Sequence, residues 1–280
     1  MPAPDAMSCD QLARLLGTPK SPILLDVRRE AIRAADPRLL PGARPLAEAD
    51  LAPAALSALA RDLAAAQTSV VVLCAEGHRL SQGTAAWLRH EGVPAEYLIG
   101  GQAAWTAAGL PLIEAGKITA RDGQGRSLWV TRARPKIDRI ACPWLIRRFI
   151  DPRAVFLFVA PSEVQGVAER FGAMPFDVED VFWSHRGDLC TFDVLLAEFG
   201  LSTPALDRLA LIVRGADTAR LDLAPECAGL LAASLGLSRM YSDDLAQLEA
   251  GMLLYDAFYR WARDAMDEKH NWAQNTGKTK

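Results

Sequence analysis

The tightest constraint on this fold is an apolar run, Val70-Val71-Val72-Leu73, followed at once by Cys74-Ala75-Glu76-Gly77-His78-Arg79. Consecutive β-branched residues form a strand, and one apolar on both faces is buried on both. Residues from Ser81 to Gly92 carry apolar side chains at helical spacing and stop at a glycine, which predicts a helix. The cysteine stretch therefore joins the end of a buried strand to the start of a helix. In parallel α/β sheets, ligands bind outside the carboxyl ends of the strands. A helix start adds unpaired N–H groups and the positive end of the helix dipole. A cysteine placed there is favoured as the thiolate, its nucleophilic form. Gly77 permits a tight turn. Arg79 contributes a permanent charge and a fork of donors suited to a sulfur oxyanion.

The flanking pattern alternates strand and helix. Strands are expected over 22–28 and 94–99, and helices over 54–66 and 102–108. Such alternation implies a parallel sheet covered by helices on both faces. Residues 114–128 contain Gly116, Gly123 and Gly125 with several charges, and read as a linker. Beyond Trp129 the pattern is mostly helical, with helices expected over 138–150, 190–199, 205–214, 225–235 and 243–267. The clearest strand of this half is 154–159. The expected architecture is an α/β domain over 1–113, a linker over 114–128, a second, mainly helical α+β domain over 129–267, and a polar tail over 268–280.

Composition excludes several classes. With 280 residues, half of them apolar, the chain can build two cores. A net charge of −3 argues against a basic nucleic-acid binder or a membrane-surface protein. No apolar run approaches the roughly 20 residues needed to cross a bilayer. The residues from Met1 to Ala6 lack the charged and apolar regions of a secretory signal. The five cysteines form no CxxC pair, a pattern expected of a reduced, cytoplasmic compartment and of single reactive thiols.

Several separated motifs of the first half together resemble the rhodanese homology domain. Asp26-Val27-Arg28 matches the family's strand-end motif, with Asp26 and Arg28 as supporting residues. Cys74-x-x-Gly77-x-Arg79 matches its active-site loop, and Gly92, Gly100-Gly101, Trp105 and Pro111 match its downstream spacing. The resemblance covers about residues 7–113. It implies a rhodanese-like parallel sheet and sulfur transfer with Cys74 as nucleophile. The main-chain N–H groups of Ala75, Glu76, Gly77, His78 and Arg79 would cradle the transferred sulfur. The donor would be thiosulfate or a persulfide, the acceptor a thiol or cyanide, and no cofactor is required. A loop of this length suits sulfur; the related dual-specificity phosphatases use one residue more. The chain departs from the family at Leu80, where serine often follows the arginine; Ser81 comes one position later. Glu76 and His78 are positions the family varies. Glu76 reads equally as a solvated charge.

The densest basic stretch lies in the second half. Arg132, Arg134, Lys136, Arg139, Arg147, Arg148 and Arg153 stand against Asp138 and Asp151. Arginine forks match tetrahedral oxyanions, and the alternative is a solvated helix face. The run from Thr131 to Pro152 resembles the opening of the ChrB-type chromate-resistance C-terminal domain. Phe176-Asp177, His185-x-Gly187-x-x-Cys190-Thr191-Phe192, Ile212 to Asp217 and Tyr255 to Tyr259 continue the resemblance, over about residues 127–265. It implies a role in chromate resistance or response.

Candidate residues in this half are Arg132, Arg134, Asp138, Arg139, His185, Cys190 and Asp217. His185 with Asp138, Cys190, Asp193 or Asp217 could supply metal ligands by type. The spacing is not a standard zinc motif, so a core histidine bonded to a carboxylate is the expectation, and any metal stays open. Some relatives carry histidine where this chain has Arg214. Cys142 reads as a packed small residue, and Trp144, Trp183 and Trp261 as core. The segment 243–267 reads as amphipathic, facing the core or a homodimer partner.

Two functional readings follow. In one, a sulfurtransferase passes sulfur through a Cys74 persulfide and is coupled to chromate resistance. In the other, the chain senses chromate or another oxyanion and regulates transcription, with the first domain auxiliary. Nucleic-acid contact stays open as a minor alternative, since no helix-turn-helix or other named DNA-binding motif is visible.

Overall fold

A computed structural model describes residues 5–268. The first half runs β1 (Ala6–Met7), α1 (Cys9–Leu15), β2 (Ile23–Asp26), α2 (Glu30–Ala35), β3 (Ala43–Pro45), α3 (Pro53–Ala65), β4 (Val70–Leu73), α4 (Arg79–His90), β5 (Ala95–Leu98) and α5 (Gly101–Ala107). Its five strands form one sheet in the order β1-β5-β4-β2-β3, and every pairing is parallel. The expected strand–helix alternation is thus present, with β4 in the centre and buried throughout.

Alternation along each strand divides the core. Leu25, Val70, Val72 and Ala95 face α3 and α4 and pack on Ala60, Leu63, Ala85 and Leu88. Leu24, Val71, Leu73 and Leu98 face the other way, toward Leu12 of α1 and Trp105 of α5.

The second half runs β6 (Leu128–Arg132), α6 (Asp138–Leu145), β7 (Val155–Val159), α7 (Val164–Phe171), β8 (Met174–Pro175), α8 (Thr191–Phe199), α9 (Pro204–Asp217), α10 (Cys227–Met240) and α11 (Asp244–Asp264). Its small sheet is also parallel, in the order β7-β6-β8. The helix expected over 138–150 is α-helical to Leu145, contains Pro143, and widens to a π-helical turn over Ile146–Ile150. Among the described residues, no helix is long and apolar enough to cross a membrane. The polar tail lies outside the described residues from 269 onward.

The two halves share one core. The face of the first sheet bearing Leu24 and Val71 is continuous with Trp129, Trp144, Phe149, Phe192 and Tyr259. Gly17, with φ +71°, lies so close that a Cβ there would overlap the Phe149 ring. Gly42 N–H donates to Phe149 O at 2.7 Å, and Arg263 donates to Leu16 O at 3.3 Å. The 114–128 stretch takes part in this packing. Ala115–Lys117 forms a 3₁₀ turn, and Ile118 and Ser127 are buried. Trp144 and Trp183 are core, as expected, whereas Trp261 packs half-buried at the margin.

Phe149 stacks edge-on to Tyr259 at 5.5 Å and to Trp144 at 5.8 Å. Replacing it with alanine should cost about 3–5 kcal/mol. Because the core is shared, β4 and α11 should lose protection together in hydrogen exchange under denaturant. If β4 amides kept wild-type protection while α11 opened, the halves would be energetically separate.

Candidate functional site

The first candidate site lies at the carboxyl end of β4. Cys74 follows the last strand residue, and α4 begins at Arg79 with His78 as its N-cap. Gly77 has φ +72°, and a Cβ there would stand 2.6 Å from both Gly100 N and Leu98 O. Gly101 has φ +58°, and its Cβ would overlap Cys74 O. These glycines let two stretches of main chain touch. The contact is fixed by Gln102 N–H on Cys74 O at 3.0 Å and Ala103 N–H on Ala75 O at 2.9 Å.

Cys74 is 6% exposed. Its Sγ lies 3.2 Å from Ser81 Oγ, and the Ser81 hydroxyl also reaches His78 O at 3.1 Å. Burial raises the thiol pKa, but the Ser81 hydroxyl and the main-chain N–H groups of Ser81, Glu76 and His78 outweigh it, so the pKa falls below the usual thiol value. Ser81, noted in the sequence only as an offset from the family pattern, is therefore the side chain in contact with the sulfur.

The remaining loop residues divide. Glu76, His78 and Arg79 are exposed, and Glu76 and His78 approach each other at 3.4 Å on the surface. Asp26 and Arg28 are buried and paired at 2.8 Å. Arg28 also donates to Asp36 O at 3.0 Å and Arg38 O at 2.9 Å. This pair pins the segment after β2 beside the cysteine loop.

The second candidate site lies at the carboxyl ends of β6 and β8. Asp138 opens α6, Asp177 follows β8, His185 sits on the loop before α8, and Asp217 ends α9. His185 Nε2 lies 3.2 Å from Asp217 Oδ2, 3.4 Å from Asp177 Oδ1 and 3.6 Å from Asp138 Oδ2. Contrary to expectation, His185 is not a core residue: its loop holds it at the rim, with a side chain 39% exposed. Hydrogen bonds to Asp177 and Asp217 raise its pKa to about 10.

Asp138 has no exposed surface, and its Oδ2 accepts from Thr191 N–H at 2.6 Å. Burial, with Asp217 and Asp177 nearby, pushes its pKa well above the usual carboxyl value. Asp177, which sequence reasoning had only as part of a resemblance, accepts from Thr191 Oγ1 at 3.0 Å and pairs with Arg139 at 3.2 Å and Arg132 at 3.5 Å. Ile137, with φ +38°, and Asp177, with φ +52°, hold positive-φ backbone conformations beside the cluster, costly for non-glycine residues and above all for a β-branched one.

Other candidates stand apart. Cys190 is fully buried, its N–H donates to Asp193 Oδ2 at 3.0 Å, and burial raises its thiol pKa. Asp193 pairs with Arg214 at 3.5 Å. Arg134 reaches over to cap the end of α10, donating to Ser238 O and to Tyr241 O at 2.8 Å. Arg147 pairs with Glu249, and Arg148 with Asp256 at 2.8 Å. Cys142 is buried in α6.

Comparison with known proteins follows the same division. Residues 8–108 match the rhodanese-like domain and residues 129–262 match the ChrB C-terminal domain. Protein ChrB of Cupriavidus metallidurans is 39% identical over 150 residues, 52% of this chain and 44% of that protein. The chain thus aligns with less than half the length of this curated relative. Thiosulfate sulfurtransferase from Pseudomonas aeruginosa is 31% identical over 40% of this chain and 19% of that one, with a TM-score of 0.31. A rhodanese-like domain protein from Staphylococcus aureus is 21% identical over 36% of this chain and 90% of that one, with a TM-score of 0.28.

Two outcomes follow from the loop geometry. Ser81→Ala should raise the midpoint of the pH profile of Cys74 alkylation by iodoacetamide, and an unchanged midpoint would mean the hydroxyl does not stabilise the thiolate. Gly101→Ala should destabilise the fold by about 1–3 kcal/mol, read from the denaturant midpoint, and should shift the same alkylation profile.

Proposed function

We propose, for a chain that joins a rhodanese-like domain to a ChrB C-terminal domain, that Cys74 carries sulfane sulfur as a persulfide. The observation that carries this reading is the placement of Cys74, nearly buried between the end of β4 and the start of α4, with Sγ 3.2 Å from Ser81 Oγ and its thiol pKa lowered by Ser81 and by nearby main-chain N–H groups. A thiolate is the attacking species in sulfur exchange.

The step balances without a redox partner. The Cys74 thiolate attacks the outer sulfur of thiosulfate. A new S–S bond forms, the donor's S–S bond breaks, and sulfite leaves with the electron pair. A thiolate or cyanide acceptor then attacks the terminal persulfide sulfur and releases Cys74 as the thiolate. The loop N–H groups stabilise negative charge on sulfur, in Cys74 itself and then in its persulfide. Arg79, exposed at the first position of α4, attracts the dianionic donor.

The similarity to ChrB supports a setting of chromate resistance or response for this sulfur chemistry. The same match favours a second reading, in which the chain senses an oxyanion and the sulfur domain is auxiliary. The arginines of the basic stretch largely have internal partners, which weighs against them as a preformed oxyanion clamp.

Incubated with thiosulfate, the wild-type chain should gain the mass of one sulfur atom and release sulfite, and cyanide should remove the gain as thiocyanate. Cys74→Ser should show neither. A mass gain that survived Cys74→Ser would overturn the assignment; chromate binding that survived it, without any sulfur uptake by the wild type, would favour the second reading.

A further inference from the structure

We propose that Asp138, Asp177 and His185 form a binding site for one divalent transition-metal ion of the Mn²⁺ or Fe²⁺ type. The inference concerns the second half of the chain and does not depend on sulfur transfer at Cys74.

Three observations carry it. First, one ligand atom from each residue can be chosen so that all three lie within 4.8 Å of one another. The distances from His185 Nε2 are 3.4 Å to Asp177 and 3.6 Å to Asp138. Ligands held about 2.0–2.2 Å from a common ion stand roughly 2.8–3.1 Å apart at the right angles of an octahedral site and roughly 3.3–3.6 Å apart at tetrahedral angles, so small shifts would seat an ion among them. Second, Asp138 has no exposed surface; its Oδ2 faces His185 and accepts from Thr191 N–H, while its Oδ1 has no hydrogen-bond partner among the described residues. A buried carboxylate oxygen left unpaired is costly; a proton or a bound cation removes the cost, and the carboxylates of Asp177 and Asp217 beside His185 favour the cation. Third, the ligands are already oriented from behind. Thr191 binds Asp138 through its N–H at 2.6 Å and Asp177 through its hydroxyl at 3.0 Å, and Arg139 holds the outer oxygen of Asp177 at 3.2 Å. Outer partners of this kind orient ligands in metal sites.

The donor set selects the ion. Two carboxylates and one imidazole without a thiolate suit a hard to borderline dication. Cys190, the one nearby sulfur proposed from the sequence, is turned to the core with a raised thiol pKa. That disfavours a thiolate zinc site. Asp217 stands 3.2 Å from the same His185 nitrogen at the rim, able to join as a fourth ligand or to accept a hydrogen bond from a bound water. The exposed side of His185 leaves further coordination positions open to solvent.

The test uses the full chain stripped with EDTA and titrated with Mn²⁺, followed by electron paramagnetic resonance and calorimetry. Mn²⁺ has little affinity for the free thiols, which would confuse a zinc titration. One ion should bind per chain. Asp177→Asn and His185→Gln should each weaken binding by about a hundredfold or more, while Cys74→Ser should leave it unchanged. His185 is at the surface, so its variant keeps the fold, and circular dichroism verifies this for both. Wild-type affinity for Mn²⁺ in a folded His185→Gln chain, or no uptake of Mn²⁺ by the wild type, would overturn the site.

Discussion

A parallel sheet exposes two apolar faces, and both must be covered. In the first half, α3 and α4 cover one face. The other receives α1 and α5, which are seven residues each, and these are too small to close it. The second half completes the cover, so Leu24 and Val71 belong to the same core as Trp144 and Tyr259. The chain can therefore match two families in separate segments and still be one packed body. It also explains why the Gly-rich segment between them is ordered around Ile118 rather than free.

Parallel strands also fix where chemistry can occur. Their carboxyl ends gather on one edge, where loops and helix starts meet. Both candidate sites lie at such an edge, Cys74 after β4 and Asp177 after β8. Each also uses a helix start, α4 for the cysteine loop and α6 for Asp138. The electrostatics then diverge. Around Cys74 the loop's own donors overcome burial and favour the anion. Around Asp138 burial and two neighbouring carboxylates disfavour it. One site is built to hold a negative charge on a single atom; the other gathers three carboxylates around His185, with Arg132 and Arg139 behind Asp177.

The strand of four apolar residues, the loop after it and the alternation on either side were legible because each rests on local pattern. Helices α8 to α11 were legible for the same reason, through spacing; the caps Thr203 and Asp243 appear in the structure. The short β1, β3 and β8 were not, since two or three residues carry no period. Ser81 escaped a role because its contact with the sulfur depends on how α4 leaves the loop. Asp177 escaped because its partners come from β6, α6 and the loop holding His185, which no spacing relates.

The basic stretch shows the same limit in a sharper form. A run of arginines with few acids beside it reads as a surface waiting for an anion. The acids are present, but they arrive from distant elements: Asp177 for Arg132 and Arg139, Asp256 for Arg148, Glu249 for Arg147. Arg134 instead meets the carbonyls at the end of α10, where the helix dipole is negative. Arg148 and Trp144 share the buried carboxylate of Asp256 at 2.8 Å each, which ties α6 to α11 through a charge held deep in the core. Charge density along a sequence thus measures how many partners a fold must supply. Whether any charge is left for a ligand is decided by the tertiary pairing, and here the buried atoms without a hydrogen-bond partner include Asp138 Oδ1 as well as the Nε of Arg132 and of Arg139.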